Sequence, residues 1–180
     1  TIAKGVDVSI PAAGMLISAY AIGVMVGAPL MTLLLSHRAR RSALIFLMAI
    51  FTLGNVLSAI APDYATLMIA RIITSLNHGA FFGLGAVVAA SVVPPGKQAS
   101  AVATMFMGLT IANVGGVPAA TWLGDTIGWR MAFFAIAGLG VVSMLSLWFS
   151  LPAGNAGERP EVRKELAVLM RPQVLAALLT

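Results

Sequence analysis

The stretch ATLMIARIITSLNHGAFFGLGAVVAASVV, residues 65–93, runs for 29 residues with a single charged side chain, Arg71. At a rise of 1.5 Å per residue a helix of that length is about 43 Å long, against roughly 30 Å for the hydrocarbon core of a bilayer. It therefore reads as a membrane span that tilts or protrudes. Working outward, four more runs have the same character: 12–35, 43–61, 99–123 and 131–151. Period-two alternation is missing from all five, and membrane strands need only about 10 residues each, so barrel strands are a poor reading. Only helices satisfy their own backbone in lipid. The fold class expected is all-α, a polytopic transmembrane helical bundle.

Composition agrees. Of 180 residues, 59% are hydrophobic and 9% charged, and the mean hydropathy is +0.98. A soluble domain carries about 25% charged residues. Cysteine is absent, which removes disulfide frameworks and thiolate chemistry. The net charge of +5 does not read as a nucleic-acid surface, because the basic residues are dispersed in loops between apolar runs. No metal site or cofactor is expected.

Short connections at 36–42, 62–64, 94–98 and 124–130 carry turn residues and imply antiparallel hairpins. Loops then alternate between the two sides of the membrane. Arg38, Arg40, Arg41, Lys97, Arg159, Arg163, Lys164 and Arg171 fall on one side, and only Lys4 and Arg130 on the other. The side with eight is expected to be cytoplasmic. Residues 1–151 are read as one transmembrane unit, 152–171 as a charged cytoplasmic linker, and 172–180 as the start of a further span. The opening residues, beginning with Thr1, read as truncated.

Helices in lipid associate through small residues that let backbones approach. The fourth span has Thr104, Gly108, Ala112, Gly116, Ala120 and Gly124 at four-residue spacing. The first has Ala19, Gly23 and Gly27, and the third Ser75, Gly79 and Gly83. Two uses stay open for these stripes: static packing, and faces that slide during a conformational cycle. Pro118 removes a backbone donor inside the fourth span, next to Gly115 and Gly116, so a kink is expected there.

Arg71 is the only charge inside a span, at a cost of about 2.5 to 3.5 kcal/mol on insertion scales. His78 follows seven residues later, about 20° around the helix, with Ser75 and Phe82 on the same face. That face is expected to line a cavity, with His78 near mid-membrane, where an imidazole can carry protons or simply hydrogen-bond a neighbouring helix. Asn55, Asn77 and Asn113 add neutral polar groups within spans, and Asn77 and Asn113 join the expected cavity set. All six acidic residues fall in loops or the linker, so the spans offer no carboxylate as a proton carrier. An intramembrane enzyme needs a nucleophile and base together, and no such pair accompanies His78. A non-transporting sensory or structural protein is the other alternative.

Several runs carry a family resemblance: residues 18–20 through 27–30 (Ser-Ala-Tyr through Gly-Ala-Pro-Leu), Ala70-Arg71, His78 to Gly83, and Gly128-Trp129-Arg130 with Phe133. Together they resemble the amino-terminal half of a major facilitator superfamily transporter, of the kind found in bacterial sugar-efflux and drug-efflux proteins of the arabinose-exporter type. The resemblance implies that the visible spans are family helices two to six, with a first helix upstream and a carboxyl-terminal half downstream. It implies export of a sugar, nucleoside or drug across the cytoplasmic inner membrane by proton antiport, with the bilayer, protons and a small solute as partners. Arg71 matches the arginine of the family's helix-four motif, which is associated with proton coupling, and Pro118 the proline of its antiporter motif. In the first cytoplasmic loop Arg38, Arg40 and Arg41 keep the basic cluster, while Ser36 stands where an aspartate is usual and Ala39 where a glycine is.

Overall fold

A computed structural model describes residues 2–152 of the chain. The linker and the next span expected at 152–171 and 172–180 lie outside the described residues, apart from Pro152 itself. The elements are a single helical turn α1 (Ile2–Gly5), then α2 (Ile10–Leu35), α3 (Arg40–Ile60), α4 (Tyr64–Ser91), α5 (Gln98–Ile111), a π-helical turn (Ala112–Gly116), α6 (Val117–Thr126) and α7 (Trp129–Ser150). No strand occurs among the described residues. With α5, the π turn and α6 counted as one span, five helices are long and apolar enough to cross a membrane.

Helix ends follow local chemistry more than hydropathy. Ser9 caps α2 by accepting the backbone N–H of Ala12 at 3.3 Å, with Pro11 inside the first turn, where its missing N–H costs nothing. Asp63 caps α4 by accepting the N–H of Thr66 at 2.8 Å. That backbone bond, partly offset by desolvation and helped by the Thr66 hydroxyl, holds the Asp63 carboxyl below its usual range. The helix α3 starts already at Arg40, within the basic loop, with Ala39 at its N-cap and no side-chain cap, although the helix dipole does not favour cations in a first turn.

Helix α4 is the centre of the bundle. It packs against α2 on one side and α3 on the other, while α3 packs in turn against α7. Small residues set the distances. A Cβ at Gly27 would lie 2.5 Å from the Leu76 Cα and 2.7 Å from the Leu76 carbonyl oxygen. One at Gly23 would collide with the Ser75 hydroxyl, and one at Gly79 would come within 2.5 Å of the Ala28 methyl. Two further close approaches have no four-residue stripe behind them: Gly54 against Thr74 between α3 and α4, and Gly140 against Thr52 between α3 and α7.

The α3–α4 seam is polar yet saturated. Asn55, Ser58, Thr74 and Asn77 are buried, and each donates to a carbonyl of its own helix, those of Phe51, Gly54, Ala70 and Thr74 respectively, at 2.7 to 2.8 Å. No buried side-chain nitrogen or oxygen among the described residues lacks a partner, as a waterless surrounding demands. The outer faces are the reverse: Phe149 is 81% exposed and Ile17 74%, and α2 is apolar all round. Such surfaces suit lipid and not water.

The α3–α7 pair is fastened at both ends. Arg130 Nη2 donates to the carbonyl oxygen of Ala61 at 2.9 Å, while its guanidinium lies 4.2 Å from the Trp129 ring. At the other end Arg41 stacks 4.4 Å over Trp148.

The fourth span breaks register where the proline lies. Pro118 has no N–H, and its ring crowds the preceding turn. The helix answers with the five-residue π turn, in which Val117 N–H bonds to the Ala112 carbonyl five residues back. The expected kink is thus a widened turn upstream of the proline, containing Gly115 and Gly116. Neither α5 nor α6 has a buried residue, and a Cβ at Gly108 or Gly116 would meet nothing within 4 Å. The stripe that suggested tight packing is open among the described residues.

Candidate functional site

Arg71 is the eighth residue of α4 and His78 the fifteenth, which puts the imidazole at the middle of the span. Between them stands Tyr20 of α2. The Arg71 Cζ lies 4.4 Å from the centre of the Tyr20 ring and 5.5 Å from that of Phe133 on α7. The Tyr20 hydroxyl lies 3.2 Å from His78 Nδ1, with the two rings edge to face at 5.9 Å. Beyond His78 the aromatics continue: Phe82 at 5.2 Å, then Phe106 of α5 stacked on Phe82 at 5.8 Å. A guanidinium on an aromatic face is attracted by the ring quadrupole, an interaction that strengthens as water is excluded. The described acidic residues, Asp7, Asp63 and Asp125, are all exposed and all outside this cluster. The cluster is therefore a cation held by aromatic rings, next to an imidazole whose Nδ1 faces a phenol.

A cavity of about 530 Å³ opens beside it, between α4 and α5 and backed by α3 and α7. Asn77, His78, Phe82, Met105, Gly108 and Ala112 are among its lining residues. Its wall is mainly apolar, and Asn77 has already committed its Nδ2 to the Thr74 carbonyl. A second space, about 320 Å³, lies between α6 and α7 and touches Thr121, Asp125 and Trp129.

The residues singled out in the sequence separate into groups. His78 and Asn77 reach the larger cavity. Arg71 does not; it turns toward Tyr20 and Phe133. Ser75 is buried, donates to the Ile72 carbonyl at 2.7 Å and presses on Gly23. The reason is azimuth: at 100° per residue Ser75 sits 40° to one side of Arg71 and His78 20° to the other. Asn113 is exposed in the π turn and donates to the Leu109 carbonyl at 3.0 Å. Gly23, Gly27 and Gly79 are at the α2–α4 crossing, whereas a Cβ at Gly83 would meet nothing within 4 Å. In the first loop the Ser36 hydroxyl donates to the Leu33 carbonyl at 2.7 Å and lies 2.9 Å from His37 Nδ1. Arg38 and Arg40 are exposed, and Arg41 is held by Trp148.

Sequence reading missed Tyr20 as a partner of both polar groups. The available signal was that the chain has only two tyrosines and this one lies inside an apolar span, where a hydroxyl needs a partner. Phe106 carried no signal beyond its type.

Comparison with known proteins bears on what such a cluster serves. A sequence profile described as Major Facilitator Superfamily matches residues 1–180. The inner membrane transport protein YdhP of Escherichia coli K12 is 87% identical over 179 residues, which cover 99% of this chain and 46% of that protein. The putative transporter AraJ of the same organism is 39% identical over 171 residues, covering 95% of this chain and 43% of AraJ. A chloramphenicol resistance protein of Streptomyces lividans is 35% identical over 182 residues, covering 99% and 46% respectively. The chain thus spans just under half the length of the curated relatives it matches.

Proposed function

The chain belongs to the major facilitator superfamily and is a multi-pass protein of the inner membrane, and from that premise we propose that it forms one wall of a secondary transporter, not an enzyme, that exports a small solute by proton antiport. Alternating access is the mechanism: two helical halves rock about a site near the bilayer midplane. The observation that carries the reading is the Arg71 cluster. An arginine inside an apolar span is costly and is retained where it handles a charge, a solute or a proton. Here it is kept beside a mid-span imidazole, with no carboxylate near either among the described residues.

Each described part has a task in this cycle. Arg71 and His78 supply the polar groups that bind or exclude a proton. The α2–α4 crossing at Gly23, Gly27 and Gly79 makes one stiff unit of the helices that carry them. The π turn gives the fourth span a point of bending, since helix kinks occur at such bulges and the bulges are frequent at functional sites. The basic loop of Arg38, Arg40 and Arg41 faces the anionic leaflet. A further apolar helix, supplied by the longer protein, occupies the groove between α4 and α5, where Gly108 and Ala112 admit a close backbone approach. The carboxyl-terminal half supplies the opposing wall. The solute is a drug or a sugar: a relative's name points to chloramphenicol, and the arabinose-exporter resemblance to a pentose.

The test is flux in proteoliposomes holding the full-length protein, with radiolabelled chloramphenicol and arabinose as probes. At least one probe is expected to move against its gradient when a proton gradient is imposed, and to stop doing so when a protonophore collapses it. Movement indifferent to the proton gradient would refute antiport, and no movement of either probe would refute the assigned solute classes.

A further inference from the structure

Tyr20 touches two side chains of α4 that are seven residues apart, about 10 Å of helix rise. Its ring face carries the Arg71 guanidinium at 4.4 Å, and its hydroxyl lies 3.2 Å from His78 Nδ1. Among the described residues Arg71 makes no hydrogen bond. The imidazole also has the Phe82 ring at 5.2 Å, which offers it no acceptor or donor. No ion pair joins Arg71 or His78 to a charged side chain of α3, α5 or α7 among the described residues; α7 sets the Phe133 ring against Arg71, and the Phe106 ring of α5 stacks on Phe82.

Among the described residues the Tyr20 hydroxyl has no acceptor other than His78 Nδ1, so donation of its O–H, the direction that leaves no phenol donor unpaired, favours one form of the histidine. A phenol donates its O–H, and a neutral imidazole accepts only at its unprotonated nitrogen. With the hydroxyl donating to Nδ1, the ring proton must be on Nε2, and Nε2–H is then the only polar group left to the side chain that borders the cavity. The same tyrosine ring is where the guanidinium rests.

We propose that Tyr20 is a positioning residue that serves both polar groups of α4 at once: its hydroxyl holds His78 in the Nε2–H tautomer and its ring holds Arg71 out of the cavity. The imidazole and the guanidinium keep this arrangement only while α2 is docked on α4 through Gly23, Gly27 and Gly79. Any movement between the two helices alters both groups together. This rests on the transporter reading for what the pair accomplishes, but not for the geometry itself.

Nitrogen NMR of the full-length protein in lipid nanodiscs tests it, at about pH 8 so that an ordinary imidazole is neutral. The protein is labelled with ¹⁵N at histidine and arginine, and the His78 signals are assigned by their loss in His78→Gln. The wild type should show an unprotonated, hydrogen-bonded Nδ1 and a protonated Nε2. Tyr20→Phe should lose that preference, its two ring nitrogens moving toward averaged positions, while the Arg71 guanidinium keeps its aromatic ring-current displacement. Tyr20→Leu should lose both. Identical ring-nitrogen signals in wild type and Tyr20→Phe, or a protonated Nδ1 in the wild type, would overturn the proposal, and Tyr20→Phe removes too little to unfold the helix pair. Lack of solute flux with the wild-type tautomer signature intact would count against the export reading alone.

Discussion

Replacing Gly27 by alanine adds one methyl group at the tightest backbone crossing of the bundle. That methyl would lie 2.5 Å from the Leu76 Cα, 2.7 Å from its carbonyl oxygen and 3.0 Å from its carbonyl carbon. All three are backbone atoms of a helix, so none can rotate away. Comfortable carbon contacts are about 3.5 to 4.0 Å, which means α2 and α4 must part by about 1 Å, and a gap of that size forfeits about a quarter to a half of each dispersion contact along the crossing. Overpacking of this kind costs about 1 to 3 kcal/mol, against a helix-propensity gain of up to about 1 kcal/mol for removing a glycine. Gly83→Ala is the control, because its methyl would meet nothing within 4 Å and only the propensity gain remains. Thermal unfolding of the purified full-length protein in detergent should therefore place Gly27→Ala below the wild type and Gly83→Ala at or above it. Equal midpoints for the two variants would show that the glycine faces of α2 and α4 do not set the crossing distance.

Gly108→Ala separates an empty groove from an occupied one: its Cβ would meet nothing within 4 Å among the described residues, so a loss of about 1 to 3 kcal/mol in the full-length protein signals a helix seated there, and unchanged unfolding excludes one. Arg130→Ala removes the donor to the Ala61 carbonyl and should lower stability by about 1.5 to 3 kcal/mol, measured by the same unfolding, with Arg130→Lys recovering only part. Asp63 has a depressed carboxyl pKa, so its capping contribution is full above the unfolded carboxylate value near 3.9 and fades as pH falls through the lower folded value. Between neutral pH and about 4, Asp63→Ala should melt below wild type and Asp63→Asn close to it, since both Asp and Asn cap well. A wild-type advantage that grows on acidification would contradict the assigned cap.

The sequence displayed the bundle more readily than the contacts within it. Five uncharged runs separated by turn residues are sufficient to place helices in lipid, and a lone arginine among apolar residues is conspicuous by its charge. What one chain of letters hides is azimuth between helices. Ser75 shares a broad face with Arg71 and His78, yet a 60° difference from His78 sends it into Gly23. Tyr20 is 51 residues from Arg71, so their stacking depends on how α2 and α4 cross. Gly54 and Gly140 make close approaches as isolated glycines, without the four-residue repeat that marked Gly23 and Gly27. The repeat on α5 is the converse case: a full stripe, open among the described residues. The π turn was hidden because Pro118 announces a missing donor but not which preceding carbonyls will rearrange.

In the proposed cycle a guanidinium seated on Tyr20 inside the membrane couples proton movement to solute movement. The most direct measurement of that coupling compares uphill, proton-driven flux with energy-independent counterflow of the same transported probe, in proteoliposomes of full-length wild type and Arg71→Ala. The account predicts that Arg71→Ala loses uphill flux by tenfold or more, about 1.4 kcal/mol or more of coupling, while counterflow persists. Uphill flux equal to that of the wild type would contradict it.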